Sequence, residues 1–217
     1  LNVSDPINYE PFILVSVLLS LALVPILLTK RSAPKFKKIG TMNILELYKI
    51  SPLGSVSSFC TGIIHGGFFS LIAFYATKAN FNLFETSILL FISTISGVLG
   101  QWPIGYVSDK YDRRSVIVIT TFFAALLAFL SILTSNDPIE NIYWLSEMHY
   151  KKILFFIFVG LYTSFCLPLF SLNLAHTNDF VDKNKFVAAG GGLQLIFGFG
   201  AISVSYTHLT LPTTRLV

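Results

Sequence analysis

Gly105-Tyr106-Val107-Ser108-Asp109-Lys110-Tyr111-Asp112-Arg113-Arg114 is a densely charged stretch in a chain otherwise poor in charge. Thr86 to Ser108 leads up to it without a charged residue until its end, and Ser115 to Asn136 leads away without one. A helix needs about 20 apolar residues to cross a bilayer. The stretch therefore reads as a tight loop between two membrane-spanning helices. Gly105 lies one turn before the loop, where a missing side chain lets neighbouring helices come close. Asp109 falls at the helix ends, where a carboxylate can serve free N–H groups of the following helix and complement its dipole. Arg113 and Arg114 can bridge to carboxylates or backbone carbonyls of a neighbour.

Composition extends this reading to the whole chain. Of its 217 residues, 53% are hydrophobic, 15% aromatic and only 12% charged, and the mean hydropathy is +0.71. Soluble domains carry about 25% charged residues. The expected fold class is an all-α polytopic membrane protein of about six transmembrane helices. The net charge of +4 is no nucleic-acid signal, because the basic residues sit in a few loops, as membrane topology requires. Cys60 and Cys166 both fall inside apolar runs, so neither a disulfide framework nor metal-ligand spacing is present in the sequence. No basic segment precedes an apolar one and a cleavage site, so no signal peptide is read. Leu1 looks like the interior of a longer protein.

Spans are expected at residues 11–29, 52–77, 86–108, 115–136, 153–175 and 186–202. Loops 30–51, 109–114 and 176–185 then share one side of the membrane and collect eleven Lys and Arg; the other side collects Lys78, Lys151 and Lys152. The positive side is placed in the cytoplasm. Within the first loop, Asn43 to Tyr48 looks like a short amphipathic helix at the interface. Gly54, Gly62, Gly66 and Gly67 mark close helix approach in the second span. Close packing is also the first expectation for the run Gly190, Gly191 and Gly192. Pro103 and Pro168 each remove a helix hydrogen bond within a span and are candidate kinks.

The quoted stretch has the pattern G-x-x-x-D-K-x-x-R-R and resembles the loop signature of the major facilitator superfamily, roughly G-x-x-x-D-R-x-G-R-R. Asp112 stands where that family usually has Gly. Three further segments resemble its YcaD-type subfamily: Glu46 to Gly54, Gln101-Trp102-Pro103-Ile104-Gly105, and Leu167-Pro168-Leu169 with Ala175-His176-Thr177-Asn178-Asp179. The family's fold has about twelve spans in two halves joined by a cytoplasmic loop. Its signature loop joins the second and third spans of a half. The resemblance therefore implies that residues 1–29 end an N-terminal half, 30–51 form the central loop, and 52–202 belong to the C-terminal half. The remainder of the N-terminal half is then a partner from the same polypeptide. Ser205 to Thr214 resembles the translation of a transposase adapter used in DNA library preparation, so residues 203–217 are expected to be foreign to the protein.

The resemblance implies a secondary transporter of a small molecule in the cell (inner) membrane, working by alternating access, with the lipid bilayer and a substrate as partners and no cofactor or nucleic acid. Gly105, Asp109, Lys110, Arg113 and Arg114 are the candidate cytoplasmic gate. Polar groups inside spans are costly and tend to face a cavity or a neighbouring helix. His65, Gln101, Asn173 and Gln194 are accordingly the candidate cavity-lining residues. No Asp, Glu, Lys or Arg lies deep in any span, so no charged proton relay or ion-pair substrate site is visible. A membrane-embedded enzyme would need clustered nucleophile, acid–base or metal residues. His176 and Asp179 in one loop are too few for that, and "no enzyme" is the expectation. A receptor or scaffold built on a transporter fold stays open as the alternative.

Overall fold

The computed structural model describes residues 9–28, 41–134 and 145–210. The described residues fold into eight α-helices and one 3-10 turn: α1 (Glu10–Leu27), α2 (Ile44–Ile50), α3 (Pro52–Lys78), α4 (Leu83–Lys110), α5 (Arg113–Thr134), α6 (Leu145–Cys166), α7 (Leu169–Asn178), the turn Lys183–Lys185, and α8 (Phe186–Thr210). The chain divides into two units, residues 1–37 and 38–217. The first contributes α1, whose apolar stretch Phe12–Pro25 is shorter than a full crossing. In the second, five segments are long and apolar enough to cross a membrane: Pro52–Lys78, Leu83–Lys110, Arg113–Thr134, Tyr150–Asn178 and Lys183–Val204. Each overlies an expected span. Residues 29–40, which carry most of the basic cluster of the first loop, lie outside the described residues, as do 135–144 and 211–217. Of the tail expected to be foreign, residues 211–217 fall there, whereas the α8 backbone is helical to Thr210.

The helix boundaries follow from local chemistry. Asn82 caps α4 in a reciprocal box: its Oδ1 accepts from the Glu85 N–H at 2.8 Å, and Glu85 Oε2 accepts from the Asn82 N–H at 2.9 Å. Such a box pairs two otherwise orphaned donors. Ser51 closes α2 through its N–H to the Leu47 carbonyl, and its Oγ accepts from the Gly54 N–H to open α3. Pro52 occupies the first turn of α3, where its missing N–H costs nothing.

The fifth expected span differs most. A single helix over 153–175 is expected, but Leu167 and Pro168 divide it into α6 and α7. Proline has no N–H for the preceding turn, and its ring crowds the carbonyl four residues back, here that of Ser164. Helix α4 runs close beside this point: a Cβ on Gly100 would collide with the Ser164 carbonyl oxygen. Pro103, by contrast, sits inside an unbroken α4.

Helix α3 packs along α8, and α6 packs along both α4 and α5. Glycine decides the first contact. A Cβ on Gly62 would strike the Phe197 carbonyl, one on Gly66 the Ala201 backbone, and one on Gly200 the Phe59 carbonyl. Gly54 meets the Thr177 side chain in the same way. The contacts of Gly62, Gly66 and Gly200 are the backbone-to-backbone approaches that small residues permit in membranes. The expectation for the run 190–192 is corrected in part: Gly191 has nothing within 4 Å, Gly190 meets only the Leu174 side chain, and Gly192 meets Leu47. The tight seam lies two to three turns further along α8. One apolar cluster, Ile72, Ala76, Leu89, Phe155 and Val159, joins α3, α4 and α6. A second, Leu47, Val181, Ala189 and Leu193, seats α2 against α8. The short helix expected in the first loop is thus present and held by protein, with Leu47 1% exposed.

Candidate functional site

The charged loop is built from the end of α4 and the start of α5. Asp109 is still helical and 74% exposed at its side chain. It does not cap α5, which corrects the role expected for it. Asp112 does: its Oδ2 accepts from the Ser115 N–H at 3.1 Å and from the Ser115 hydroxyl at 3.0 Å. Those two bonds, the backbone one first, hold the Asp112 carboxyl below its ordinary value. The residue that departs from the family pattern therefore has a definite local task, because a carboxylate three residues ahead of a helical N–H is a good N-cap.

Arg113 is the junction of the loop. Its Nη2 lies 3.3 Å from Asp109 Oδ1, and its Nε lies 3.1 Å from Asp179 Oδ2 at the end of α7. One guanidinium thus ties the α4–α5 loop to the α7–α8 connection, using the several donors of its planar fork. Next to it, the Arg114 guanidinium lies 5.7 Å from the centroid of the Phe180 ring, and His176 packs edge-on to the same ring. On the exposed side of α4, Trp102 stacks on Tyr106, and Lys110 Nζ lies 4.2 Å from the Tyr106 centroid. Gly105 has nothing within 4 Å, so among the described residues no helix uses the close approach it offers. Gly100 and Gly160 make the close contacts between α4 and α6 instead, and Gly97 meets the Leu167 side chain at the α6–α7 break.

A second ion pair sits at the same end of the helices. Lys185 Nζ lies 2.8 Å from Glu46 Oε1, linking α2 to the turn before α8. At the opposite end, Lys152 Nζ lies 2.7 Å from Glu85 Oε1 and 4.9 Å from the Phe81 centroid. The loops around 41–51, 109–114 and 176–185 are therefore gathered at one end. Asp179 as the partner of Arg113 is not legible in the sequence, because 66 residues separate them.

The Glu46–Lys185 pair makes a pH prediction. The hydrogen bond from Lys185, and then its charge, hold the Glu46 carboxyl below its ordinary value of 4.5. A carboxyl depressed by folding stabilises the fold above its unfolded value, and that stabilisation is lost as pH falls through the folded value. Lowering the pH below about 4.5 should thus weaken the contact between α2 and the turn before α8, while the Leu47 cluster still holds the helix. The wild-type chain is expected to show a fall in thermal midpoint over that range that is smaller in Glu46→Gln, measured in parallel.

The four candidate cavity residues separate into two kinds. His65 Nε2 lies 3.1 Å from the Cys166 carbonyl, just before the α6–α7 break, and its ring packs edge-on to Phe197. Asn173 is 0% exposed, and its Nδ2 donates to Thr61 Oγ1 at 3.1 Å. Asn173 therefore lies wholly within helix packing and not on an open cavity wall. Gln101 and Gln194 are exposed on α4 and α8. Among the described residues, no group of three or more His, Cys, Asp or Glu is placed to hold a metal ion.

The Major Facilitator Superfamily pattern matches residues 8–205, which takes in every span and the charged loop. The chain belongs to this superfamily. Within it, the chain is similar to the uncharacterized MFS-type transporter YcaD of Escherichia fergusonii, with 25% identity over 87% of this chain and 45% of that relative. It is likewise similar to the YcaD of Escherichia coli O9:H4, with 24% identity over 83% of this chain and 43% of the relative. The chain thus spans less than half the length of these curated relatives. No solved structure matches it. Within this superfamily, the gathered loops, the five long apolar segments and the YcaD likeness describe a partial polytopic membrane protein of YcaD type.

Proposed function

We propose that the whole polypeptide is a secondary transporter of a small molecule, not an enzyme, and that it works by alternating access across the cell (inner) membrane. Its loops 30–51, 109–114 and 176–185 face the cytoplasm. The superfamily match and the relatives named as transporters support the reading. Matching less than half of each relative supports the assignment of residues 1–29 to the end of one six-helix half and of 52–202 to the other. The observation that carries the mechanism is the Arg113 junction. Ion pairs open to water contribute only about 0–1 kcal/mol each. Contacts of that size can break and re-form within a transport cycle, whereas a buried pair could not do so cheaply. Arg113, shared between Asp109 and Asp179, sets the shape of the loop. Gly105, Asp109, Lys110 and Arg114 are then presented to the other half and shut the cytoplasmic side in one state.

The test is uptake. The whole polypeptide, reconstituted in vesicles and incubated with a metabolite mixture, should accumulate or expel at least one small solute relative to empty vesicles, as read by mass spectrometry. A folded protein that moves none of them in either direction, with or without an ion gradient, would sink the transport reading.

A further inference from the structure

Helices α4 and α6 leave an open apolar groove of about 360 Å³ between them. Its floor is Gly160, where a Cβ would come within 2.8 Å of Ile92 Cγ2 and 3.1 Å of Ser96 Oγ on α4. Ile153, Ile157 and Leu161 form its wall on α6, and each is nearly half exposed. They follow Tyr150 at intervals of three or four residues, so all four lie on one strip of the helix. The mouth of the groove is polar. Lys152, Phe156 and Gly160 stand four residues apart on α6, and Glu85, Ile92 and Ser96 share a strip of α4. The Lys152–Glu85 pair therefore closes the end of the groove that lies away from the charged loop. Tyr150, well exposed, stands on the open side of the same end.

The dimensions select the occupant. From Ile153 to Leu161 the groove is about 12 Å long, at a rise of about 1.5 Å per residue. One leaflet of the hydrocarbon core is about 15 Å deep. Spread over the groove's length, the volume leaves a slot roughly 6 Å wide. A helix with its side chains is about 10–12 Å across and does not enter. A single methylene chain does, because its carbons approach their neighbours at about 3.5–4.0 Å. The lining carries no charge, and Ser96 is its one hydroxyl. A helical serine can turn its hydroxyl onto the carbonyl four residues back, as Ser93 does nearby, so Ser96 demands no polar guest. At the mouth, the Lys152 ammonium has three N–H donors, and its bond to Glu85 uses one of them. Tyrosine and lysine are the residues that meet lipid headgroups at the end of a span.

We infer that the α4–α6 groove is a binding site for one phospholipid, drawn from the leaflet at the end opposite the charged loop. One acyl chain lies between the two helices, as far as Gly160 and Ser96. The phosphate sits at the mouth, where it accepts hydrogen bonds from Lys152 Nζ and the Tyr150 hydroxyl. Charge is matched there, because an anionic phosphate meets an ammonium, and such charge-assisted bonds are the strong ones. The Asn82 N–H bonds the second oxygen of Glu85, so the carboxylate stays anchored to α4 when Lys152 turns part of its donor set to the lipid. The chain then packs α4 to α6 along the strip where their own side chains leave a gap.

The test needs no transport substrate. The whole polypeptide is placed in vesicles of phosphatidylethanolamine and phosphatidylglycerol that include a phospholipid with a photoactivatable group midway along one acyl chain. After illumination, the labelled peptides are read by mass spectrometry. The expected result is label concentrated on residues 92–96 and 153–161. Ile157→Trp fills the slot with a ring and should cut that label by at least about fivefold, the least cost of overpacking a filled site. Lys152→Gln removes one bond to the phosphate and should cut it by about fivefold. Leu133→Trp, on an exposed face of α5, should leave it unchanged. Label spread evenly over the exposed apolar residues of α3, α4 and α5 would mean bulk lipid contact only, and overturns the inference. So does groove label unchanged by either groove variant in a folded protein. A groove that takes no label, because the rest of the polypeptide covers it, overturns it as well. None of these results bears on whether the whole polypeptide moves a solute, and failed uptake with a lipid-filled groove would count against transport alone.

Discussion

Gly62→Leu is expected to abolish the folded protein. The position lies in the seam between α3 and α8, where an added Cβ would overlap the Phe197 carbonyl and come within 3.1 Å of the Ala201 nitrogen. Backbone cannot turn aside as a side chain can, so the two helices must separate. Gly66 and Gly200, one turn away on either side of the same seam, would lose their contacts with it. Overpacking of an ordinary core costs about 1–3 kcal/mol, and more where nothing can yield. Most folded domains have only about 5–15 kcal/mol in hand. Gly191→Ala is the matched control. It adds the same first carbon to α8, the other helix of the pair, where nothing lies within 4 Å, and alanine favours helix over glycine by up to about 1 kcal/mol. Size-exclusion yield and thermal midpoint in detergent should collapse for Gly62→Leu and hold or rise for Gly191→Ala. Equal behaviour of the two would mean that α3 and α8 do not pack through this glycine seam.

Arg113→Gln is expected to slow transport by up to about 30-fold without unfolding the chain. The substitution removes one cation and two carboxylate contacts, to Asp109 and to Asp179. Two such pairs are together worth up to about 2 kcal/mol, which moves a two-state balance by up to about 30-fold. Because the Asp109 and Asp179 side chains are 74% and 47% exposed, glutamine at position 113 leaves no buried charge behind, so the fold persists. The Asp112 cap on α5 is untouched. Solute uptake by the whole polypeptide, normalised to folded protein, reads the effect. A normal rate would remove Arg113 from the cycle, and a loss of folded protein would make the junction structural.

The features legible in the sequence are those that depend on length and local chemistry. Long uncharged runs on both sides of Gly105 to Arg114 located α4 and α5, since a bilayer admits little else of that length. Pro168 marked the α6–α7 break for the same local reason. What was not legible depends on how each helix is turned about its axis. A span that is apolar all round gives no sign of which face meets a neighbour. Hence Gly62 and Gly200 are in tight contact while Gly191 and Gly105 are open, with nothing in the sequence to tell them apart. The same limit hid Asp179 behind Arg113 and Thr61 behind Asn173, pairs that only the folded arrangement brings together. Asp109 and Asp112 were exchanged for a smaller reason. Helix α4 continues to Lys110, about half a turn further than the uncharged run, and so carries Asp109 past the point where it could cap α5.

The most direct test of the central claim is a double-mutant cycle on uptake rate with Arg113→Gln, Asp179→Asn and the two combined. If the contact itself is the element that works in the cycle, each single variant slows uptake and the double variant is about as slow as the worse of them, since one interaction can be lost only once. If the two losses multiply, or if either variant transports at the normal rate, the Arg113–Asp179 contact is not part of the transport cycle.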